Sequence, residues 1–580
     1  VALAVPTRNV PPVEALEVAA PSRPPGASPL SMPLAEKTLV DRPAAALPRE
    51  VRYASVAGKL RLRQDGDAWV FRANDLRLQA RGDRSASPAS LGARWRGHPA
   101  SAFEAGISAT SLDAGAVWPL ALALAPRAFD RWAGLDPAGM IRSLRIDIAR
   151  DRAGSEPRFE VAADVDGLSA RPIGRWPGLR GLTARASGTQ ERGRIALRAV
   201  SPSFEWPRWF RAPLEAERAE ADVDWWREGG DWVVSSPQLS VQHPKAVAQG
   251  ELTLRLPGRG RSPHLDLEAR IERLDATIVS SVLPIGRLKP RSIAWLEAAF
   301  QKGTATAGML SYHGPTRKFP FRGGEGEFKA RAVVNDATLE YFPGFAPLTG
   351  GNGNVEFHNA GLQATLDAGQ VGGLRLRSAQ VVIDDLKEPT LEIDATATGD
   401  VAKALAVLQG SPLGPTLGTQ FMALSGSGPA DYAVRLHLPT QDTDARDYVV
   451  RTKLRSVSVT WPVLRAPASR VTGDLVIHNR EITAPALRGV ILDGPFELNV
   501  QPGPVGGDVS ATVLLSGSGR ASGVQLPGFI GLPDAIRMTG TTDWRLNGRI
   551  ERRGDGEQWP ARIEVATDLR GLGIDAPNPF

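Results

Sequence analysis

Apolar and polar residues alternate with a period of two along most of the chain after residue 50. Leu252, Leu254 and Leu256 alternate with Thr253 and Arg255. A period of two is typical of a β-strand that has one apolar and one solvated face. The same pattern includes Leu265, Leu267, Ile271, Leu391 and Ile393. It predicts a mostly β protein in which these eight residues line the apolar face of a sheet.

Turn signals separate the predicted strands. Asp65-Gly66, Gly229-Gly230 and Asn352-Gly353 are dipeptides that favour tight turns. They predict antiparallel hairpins. The glycine-rich segment 349–354 is followed by a strand pattern rather than by a helix, so it lacks the helix N-terminus of a phosphate-binding loop. We interpret it as a hairpin turn.

Short helices are predicted at a few recurring places. Asp113, Asp275 and Asp400 each precede a helical pattern, and an aspartate can cap a helix N-terminus. The second pattern covers about 275–300, where apolar residues from Ile293 to Phe300 form a stripe that Gly303 ends. A new strand is predicted at 308–312. A weaker fourth copy of the helical pattern follows Gly523.

A strand, a polar corner, a second strand and an aromatic or proline-containing turn recur between the helices. The corners lie at Asp166, Asp336, Ser456 and Arg570. Such self-similarity indicates repeated units stacked in a line. The predicted division is a loosely ordered Pro/Ala-rich arm (1–50), a first β unit (51–150), and repeats at 151–314, 315–430 and 431–580, the last ending in a truncated start of the next.

Composition excludes several classes of protein. The 580 residues include 60 glycines and 47 prolines, as expected of many strands joined by turns, and no cysteine, which excludes disulfides and thiolate metal sites. The net charge is +6, without a basic stripe, so nucleic acid is not an expected partner. The most apolar run, 116–126, is too short to span a bilayer. The first residue is Val1, and we expect an internal fragment of a longer protein.

Candidate catalytic chemistry is sparse. The seven histidines are dispersed without metal-ligand spacing, and His313 precedes Gly314-Pro315, so we interpret it as a turn residue. Asp164 and Asp166, like the pair at 222 and 224, are interpreted as solvated positions on strands. We predict no catalytic residue, no metal and no cofactor. A glycan hydrolase would need convergent carboxylates, and no such pair is visible.

Aromatic residues are densest between 204 and 210. Trp206, Trp209 and Phe210 are candidates for contact with lipid headgroups or a membrane surface, where tryptophan is enriched. The alternative, which we favour, is that these rings pack against a sheet edge or plug the end of a groove.

The segment from Trp295 to Leu348 resembles the signature region of the YhdP branch of AsmA-like proteins, and residues 124–146 resemble an earlier passage of the same family. The likeness runs from about residue 50 to 580. This family is similar to bridge-like lipid transfer proteins. The resemblance implies a long, twisted periplasmic β-sheet curled into an apolar groove, an inner-membrane anchor outside this chain, and phospholipid carried toward the outer membrane. Phospholipid, the membrane and envelope proteins are the implied partners.

Two interpretations of the alternating strands stay open. In a β-sandwich the apolar faces are buried against a second sheet, and alternation alone favours that arrangement. The sparse helices and the repeats favour an extended sheet with an open apolar groove. The corresponding functions are a non-enzymatic lipid conduit and, as the alternative, a scaffolding β-protein of the cell envelope.

Overall fold

The structure is a computed structural model. It describes residues 2–4, 50–79, 87–98, 101–124, 129–174, 176–258, 260–283, 290–412, 423–439, 441–442, 445–462, 466–479, 481–506, 509–532, 536–553 and 560–575. Most of the predicted N-terminal arm therefore lies outside the described residues. The chain divides into two compact units. Unit 1 comprises Val1–Pro244, Arg255–Gly258 and Ser281–Arg287, and unit 2 comprises Lys245–Leu254, Arg259–Ser280 and Leu288–Phe580.

Unit 1 is built from strands, most of which have nine or more residues. They are β1 (Ala2–Ala4), β2 (Glu50–Arg52), β3 (Ser55–Asp65), β4 (Ala68–Gln79), β5 (Ala89–Gly97), β6 (Phe103–Asp113), β7 (Ala138–Arg150), β8 (Arg158–Ala170), β9 (Gly178–Thr189), β10 (Arg192–Val200), β11 (Ser203–Glu205), β12 (Leu214–Glu215), β13 (Arg218–Glu228) and β14 (Asp231–His243). From β3 to β10 each strand pairs antiparallel with the next, and β10 then pairs with β13 and β13 with β14. The short β11 pairs with β9 and β12, and β1 with β2.

Unit 2 is also built from β-strands. Its first strand, β15, is divided between the two units. Its strands are β15 (Ala246–Leu256), β16 (His264–Asp275), β17 (Phe300–Pro315), β18 (Glu327–Leu339), β19 (Leu348–His358), β20 (Gly361–Val371), β21 (Leu374–Ile383), β22 (Thr390–Asp400), β23 (Ser425–Ser427), β24 (Pro429–Pro439), β25 (Asp447–Thr460), β26 (Ala468–His478), β27 (Glu481–Ile491), β28 (Gly494–Pro502), β29 (Val509–Ser522), β30 (Arg537–Arg553), β31 (Ala561–Thr567) and β32 (Leu572–Asp575). Successive strands pair antiparallel from β16 to β22 and from β24 to β31. In addition, β22 pairs with β24, β23 with β25, and β30 with β32.

The helices are short. They are α1 (Ala114–Leu124), α2 (Val279–Val282), α3 (Pro290–Ala299), α4 (Val401–Gln409) and α5 (Leu526–Ile530), with 3₁₀ turns at Asp130–Leu135, Ala276–Ile278 and Gly523–Gln525. α1, α3 and α5 each lie between two strands that pair directly with each other. α4 and the short β23 lie between β22 and β24, which also pair, so these helices are insertions at strand ends. The predicted fold class, a mostly β protein with antiparallel sheet and a few short helices, is confirmed.

The predicted aspartate caps are present. Asp113 Oδ1 accepts a hydrogen bond from Ala116 N (2.8 Å), and Asp275 Oδ1 accepts one from Thr277 N (2.8 Å). Asp400 accepts a hydrogen bond from Ala402 N at the start of α4. It also accepts one from Gly428 N, directly before β24. The fourth helical turn begins at Ser522, whose side chain makes no capping bond.

A structural repeat accompanies the helices. After α1, α3, α4 and α5, a glycine in the left-handed region of φ lies close to backbone atoms of another strand or of a connection. The glycines are Gly139, Gly303, Gly428 and Gly540, with φ values of 115°, 130°, 116° and 86°. A Cβ on Gly303 would lie 2.9 Å from Ala337 Cα, and one on Gly428 would lie 3.0 Å from Val457 Cα. Neighbouring strands can therefore approach each other this closely only where the residue is glycine.

Some local predictions are wrong. Phe300 is the first residue of β17 rather than part of the helical stripe, and Gly303 lies inside that strand instead of ending the helix. Asn352-Gly353 and the whole segment 349–354 lie inside β19. The strand there bulges at these residues, so glycine relieves a close approach between strands without turning the chain. Gly66 and Gly229-Gly230 do lie between paired strands, and Asp65 is the last residue of β3.

Candidate functional site

The candidate site is one face of the sheet in unit 2. Residues directly opposite each other in antiparallel strands project from the same face, so the register identifies that face strand by strand. One row across β16 to β22 and β24 is apolar at every position: Ala269, Leu310, Ala330, Phe357, Leu362, Ile383, Leu391 and Leu438. We call this side the apolar face.

Two further rows lie beside the first. One runs through Ala332, Val355, Ala364, Val381, Ile393, Leu436 and Tyr448. The other runs through Val334, Gly353, Leu366, Ala379, Ala395, Val434, Val450, Ile477 and Ile482. All three rows run through β18 to β22 and β24, so the apolar face is continuous over these strands.

The register places most of the sequence-predicted residues on this face. Leu391 and Ile393 occupy the first and second rows. Leu265 and Leu267 lie opposite Gly314 and Tyr312, on the same side as Ala269, and Ile271 lies opposite Gly308. Whether any of these residues contacts lipid stays a prediction.

Two of the three leucines of β15 lie on the apolar face of unit 2. A Cβ on Gly250 would lie 3.1 Å from Ala269 Cβ, which puts the even-numbered residues of β15 on the side of Ala269. By alternation, Leu252 and Leu254 lie on the apolar face, and both are half-buried. Leu256 falls in unit 1 and is 38% exposed.

Burial on the apolar face is partial. Along β22, Leu391 and Ile393 are half-buried and Glu392 and Asp394 are exposed. A second sheet packed on this face would leave large side chains fully buried, as in a sandwich core. Among the described residues of β20 to β24, the buried ones are the small residues Gly369, Ala379 and Ala430. The side chains of this stretch thus shield one another without being covered.

A close-packed cluster of buried side chains lies near the end of unit 2. It contains the buried residues Ala484, Val500, Ala511, Val513, Leu515, Leu546 and Ile550, with Leu475 and Trp544 among those packed against them. The large apolar side chains described in β20 to β24, by contrast, are only half-buried.

Ion pairs across strands cover the opposite, polar face. Arg435 lies 2.9 Å from Asp394, and Lys329 lies 3.1 Å from Glu356. Another joins Arg488 to Glu497. The rings of His437 and His478 lie 3.5 and 2.7 Å from carboxylate oxygens of Glu392 and Asp447. All are exposed, and each such pair contributes little to stability. Their consequence is that one side of the sheet is well solvated while the other is apolar.

His313 lies on the polar face of β17, not in a turn as predicted. Its Nε2 is 2.8 Å from a Glu268 carboxylate oxygen and its Nδ1 is 3.3 Å from Asp266. The hydrogen bond to Glu268 raises the pKa of His313 above its usual value. Hydrogen bonding to two carboxylates stabilises the imidazolium form, so the residue is a solvated charge partner.

Unit 1 has an apolar row of its own. It runs from β3 to β14 through Leu62, Phe71, Ala93, Ile107, Ile146, Val161, Gly188, Gly193, Trp225 and Val234. A Cβ on Gly193 would lie 2.1 Å from Trp225 Cζ2. The indole therefore covers the glycines, and the row stays apolar.

The predicted aspartate positions in unit 1 are solvated and paired. Asp164 accepts a hydrogen bond from Arg185 at 2.7 Å, and Asp224 accepts one from Arg194 at 2.7 Å. Asp166 contacts Arg142. The arginine contacts lower the pKa values of Asp164 and Asp166. Such carboxylates are held ionised, which does not suit a general acid.

The aromatic cluster of unit 1 packs upon itself. Trp206 and Trp209 have ring centroids 6.0 Å apart, and Phe204 makes edge contacts with Trp206 and Phe210 at 5.9 and 6.4 Å. The rings of Trp206, Trp209 and Phe210 are half-buried. Contact of these residues with headgroups or a membrane stays a prediction.

A second aromatic cluster, missed from the sequence, lies in unit 2. Phe319 and Phe321 belong to residues 316–326, the connection between β17 and β18 that we call the rim loop. Phe321 is 2% exposed and contacts Tyr312 at 5.2 Å. The signal was present as Phe-Pro-Phe after the strand, but only the register shows that Tyr312 and Phe328 belong to the apolar face.

Neither a metal-binding cluster nor a membrane-spanning helix is found in the part of the chain that the structure describes. It contains no set of three or more histidine or acidic side chains arranged to bind a metal ion. It also contains no helix with the length and apolarity needed to cross a bilayer.

The antiparallel repeats and the uncovered apolar rows define a class of protein, a β-sheet repeat protein with an extended apolar surface. A family model described as YhdP protein matches residues 45–580, and the chain belongs to that family. The chain is also 24% identical over 474 residues to the "Intermembrane phospholipid transporter YhdP" of Escherichia coli (strain K12). That match covers 80% of this chain and 36% of the relative's length. The relative's name denotes a transporter, a non-enzymatic function, in agreement with the sequence prediction.

Proposed function

We propose that this chain is part of a non-enzymatic conduit that carries phospholipid between the inner and outer membranes. The observation that carries the proposal is the apolar face, whose rows stay apolar across consecutive strands without a covering layer over β20 to β24. The name of the bacterial relative, a phospholipid transporter, supports the substrate class.

The energetics favour such a surface. Transfer of a methylene group from water to an apolar environment gains about 0.8 kcal/mol, so exposing one chain of roughly sixteen carbons costs on the order of 12 kcal/mol. A conduit must keep the chains covered along the whole path. A continuous apolar row meets this requirement at every strand, whereas a single pocket would cover the chains at one point only.

The strands give the surface its width. β22 has 11 residues, which at about 3.3 Å per residue span roughly 36 Å. In our proposal this face curls into a groove, lies in the periplasm, and is held to the inner membrane by a segment outside this chain.

Native mass spectrometry after detergent-free purification tests the proposal. We expect the chain to carry phospholipid, and we expect Val381→Asp combined with Ile393→Asp to lower the lipid-bound fraction severalfold, because both residues lie on the apolar face. The matched control is Gln380→Asp, on the exposed polar face, which should retain lipid. Circular dichroism confirms that each variant is folded.

A wild-type chain that is free of lipid after this purification, in preparations from more than one expression host, would contradict the proposal. That result would favour the alternative, a scaffolding protein of the envelope.

A further inference from the structure

The rim loop places an aromatic ring at one border of the apolar face. The ring of Phe319 stacks on Tyr312 with centroids 5.9 Å apart and meets Phe328 at 5.3 Å. Tyr312 and Phe328 lie opposite each other, and Tyr312 also lies opposite Leu267, so both belong to the apolar face. Phe319 nevertheless remains 49% exposed. It extends the apolar surface past the ends of the strands.

Three cations neighbour Phe319 in the sequence of the rim loop. Arg322 binds both carboxylate oxygens of Asp385 at 2.5 and 2.7 Å, and Lys318 Nζ lies 3.6 Å from Glu325. Arg317 is exposed, and no ion pair of its guanidinium is found among the residues that the structure describes. Arg317 is therefore the cation of the loop whose charge is available to a ligand.

The loop is fastened on two sides. Ser262 Oγ accepts a hydrogen bond from Arg317 N at 3.2 Å, and Pro263 O accepts one from Thr316 N at 2.8 Å. On the other side, Arg322 reaches Asp385 in the connection between β21 and β22, and this contact lowers the pKa of Asp385 to about 2. The backbone of the rim loop, which carries Arg317 and Phe319, thus has a fixed place relative to the apolar face.

We propose that the rim loop is a headgroup site for a phosphate-bearing membrane lipid. The acyl chain lies along the apolar rows and against Phe319, and the phosphate binds Arg317 at the border. The guanidinium suits this role because its planar donors match phosphate oxygens in a two-bond geometry. An aromatic ring at a boundary between apolar and solvated regions is likewise typical of lipid interfaces. This inference rests on the proposed function.

Two amphiphiles of equal chain length test the site. They are lauroyl lysophosphatidylglycerol, which carries a phosphate, and dodecyl maltoside, which does not. We measure the binding of each below its critical micelle concentration to the full chain by calorimetry. We expect Arg317→Ala to weaken binding of the phospholipid by roughly threefold to tenfold, or about 0.7–1.4 kcal/mol, and to leave the maltoside unchanged. Arg317→Lys should retain most of the affinity, and Phe319→Ser should weaken both ligands.

The matched control is Arg375→Ala. Arg375 is an exposed arginine next to Leu376 in β21, on the opposite face of the sheet, and its loss should change neither affinity.

Three outcomes overturn the headgroup site. They are equal losses for both amphiphiles with Arg317→Ala, no loss for either, and saturable binding of inorganic phosphate alone that Arg317→Ala abolishes, which would indicate a site for soluble anions. If the wild-type chain binds neither amphiphile, the proposed function fails together with the inference. If it binds both and Arg317→Ala has no effect, only the inference fails.

Discussion

At the residue scale, the aspartate caps are the predictions that the structure confirms most directly. A single side chain determines each, because a carboxylate before a helical pattern can accept bonds from the free amides of the first turn. Asp400 does more than the sequence suggested. It also accepts a bond from Gly428 N across the helical insertion, a contact that no local pattern could predict.

Asp400→Ala should therefore destabilise unit 2 by about 1–2 kcal/mol, since it removes the cap of α4 and leaves Gly428 N without its acceptor. Urea denaturation followed by circular dichroism measures the change. Ser522→Ala is the matched control, because Ser522 makes no capping bond at its helical turn. Equal effects of the two substitutions would show that the cap of α4 contributes nothing.

His313 shows where residue-scale reasoning from sequence was wrong. The turn signal at Gly314-Pro315 suggested a corner, but β17 continues to Pro315, and the partners of His313 come from β16, far away in sequence. Cross-strand partners depend on register, which a single sequence does not reveal.

Glu268→Gln should lower the pKa of His313 toward its ordinary value near 6.5, because the bond to Glu268 is the main cause of the raised value. The titration of the imidazole by NMR measures this, with His313→Gln used for assignment. Since the folded-state pKa is raised, the contribution of His313 to stability is present below the unfolded pKa and is lost as pH rises through the folded pKa. An unchanged titration in Glu268→Gln would contradict the proposed partner.

At the element scale, strands and helices were predictable because apolar residues recur with different periods in the two. The ends of these elements were harder to predict. Glycine was the main source of error. Gly303 and Gly353 were interpreted as a helix stop and a turn, yet both lie inside strands at bulges. A glycine that relieves a close approach between strands has the same sequence signal as one that turns the chain.

The recurring left-handed glycine gives an element-scale prediction. Gly428→Ala should destabilise the fold by about 1–3 kcal/mol, because φ is 116° and a Cβ would lie 3.0 Å from Val457 Cα. Gly528→Ala is the control. Gly528 lies in α5 with no atom within 4 Å of its Cβ position, so alanine there should be neutral or stabilise by up to about 1 kcal/mol. Thermal melts that fall equally for both variants would argue against the special role of Gly428.

At the scale of the molecule, the alternating pattern predicted an apolar face but not whether a second sheet covers it. That question depends on contacts between residues far apart in the chain. The structure brings Leu391 and Ile393 into rows with residues from eight other strands, and partial burial along β20 to β24 indicates an open face. The rim loop was missed because its meaning depends on the same register.

The central claim is that one face of the sheet carries lipid and the other does not. A photo-crosslinking amino acid at Leu362, Ile393 and Leu436, compared with Gln363, Glu392 and Arg435 next to them in the same strands, tests it directly in cells that make the full-length protein. The account predicts phospholipid adducts at the first three positions and none at the second three. Adducts at both sets, or at neither, would contradict it.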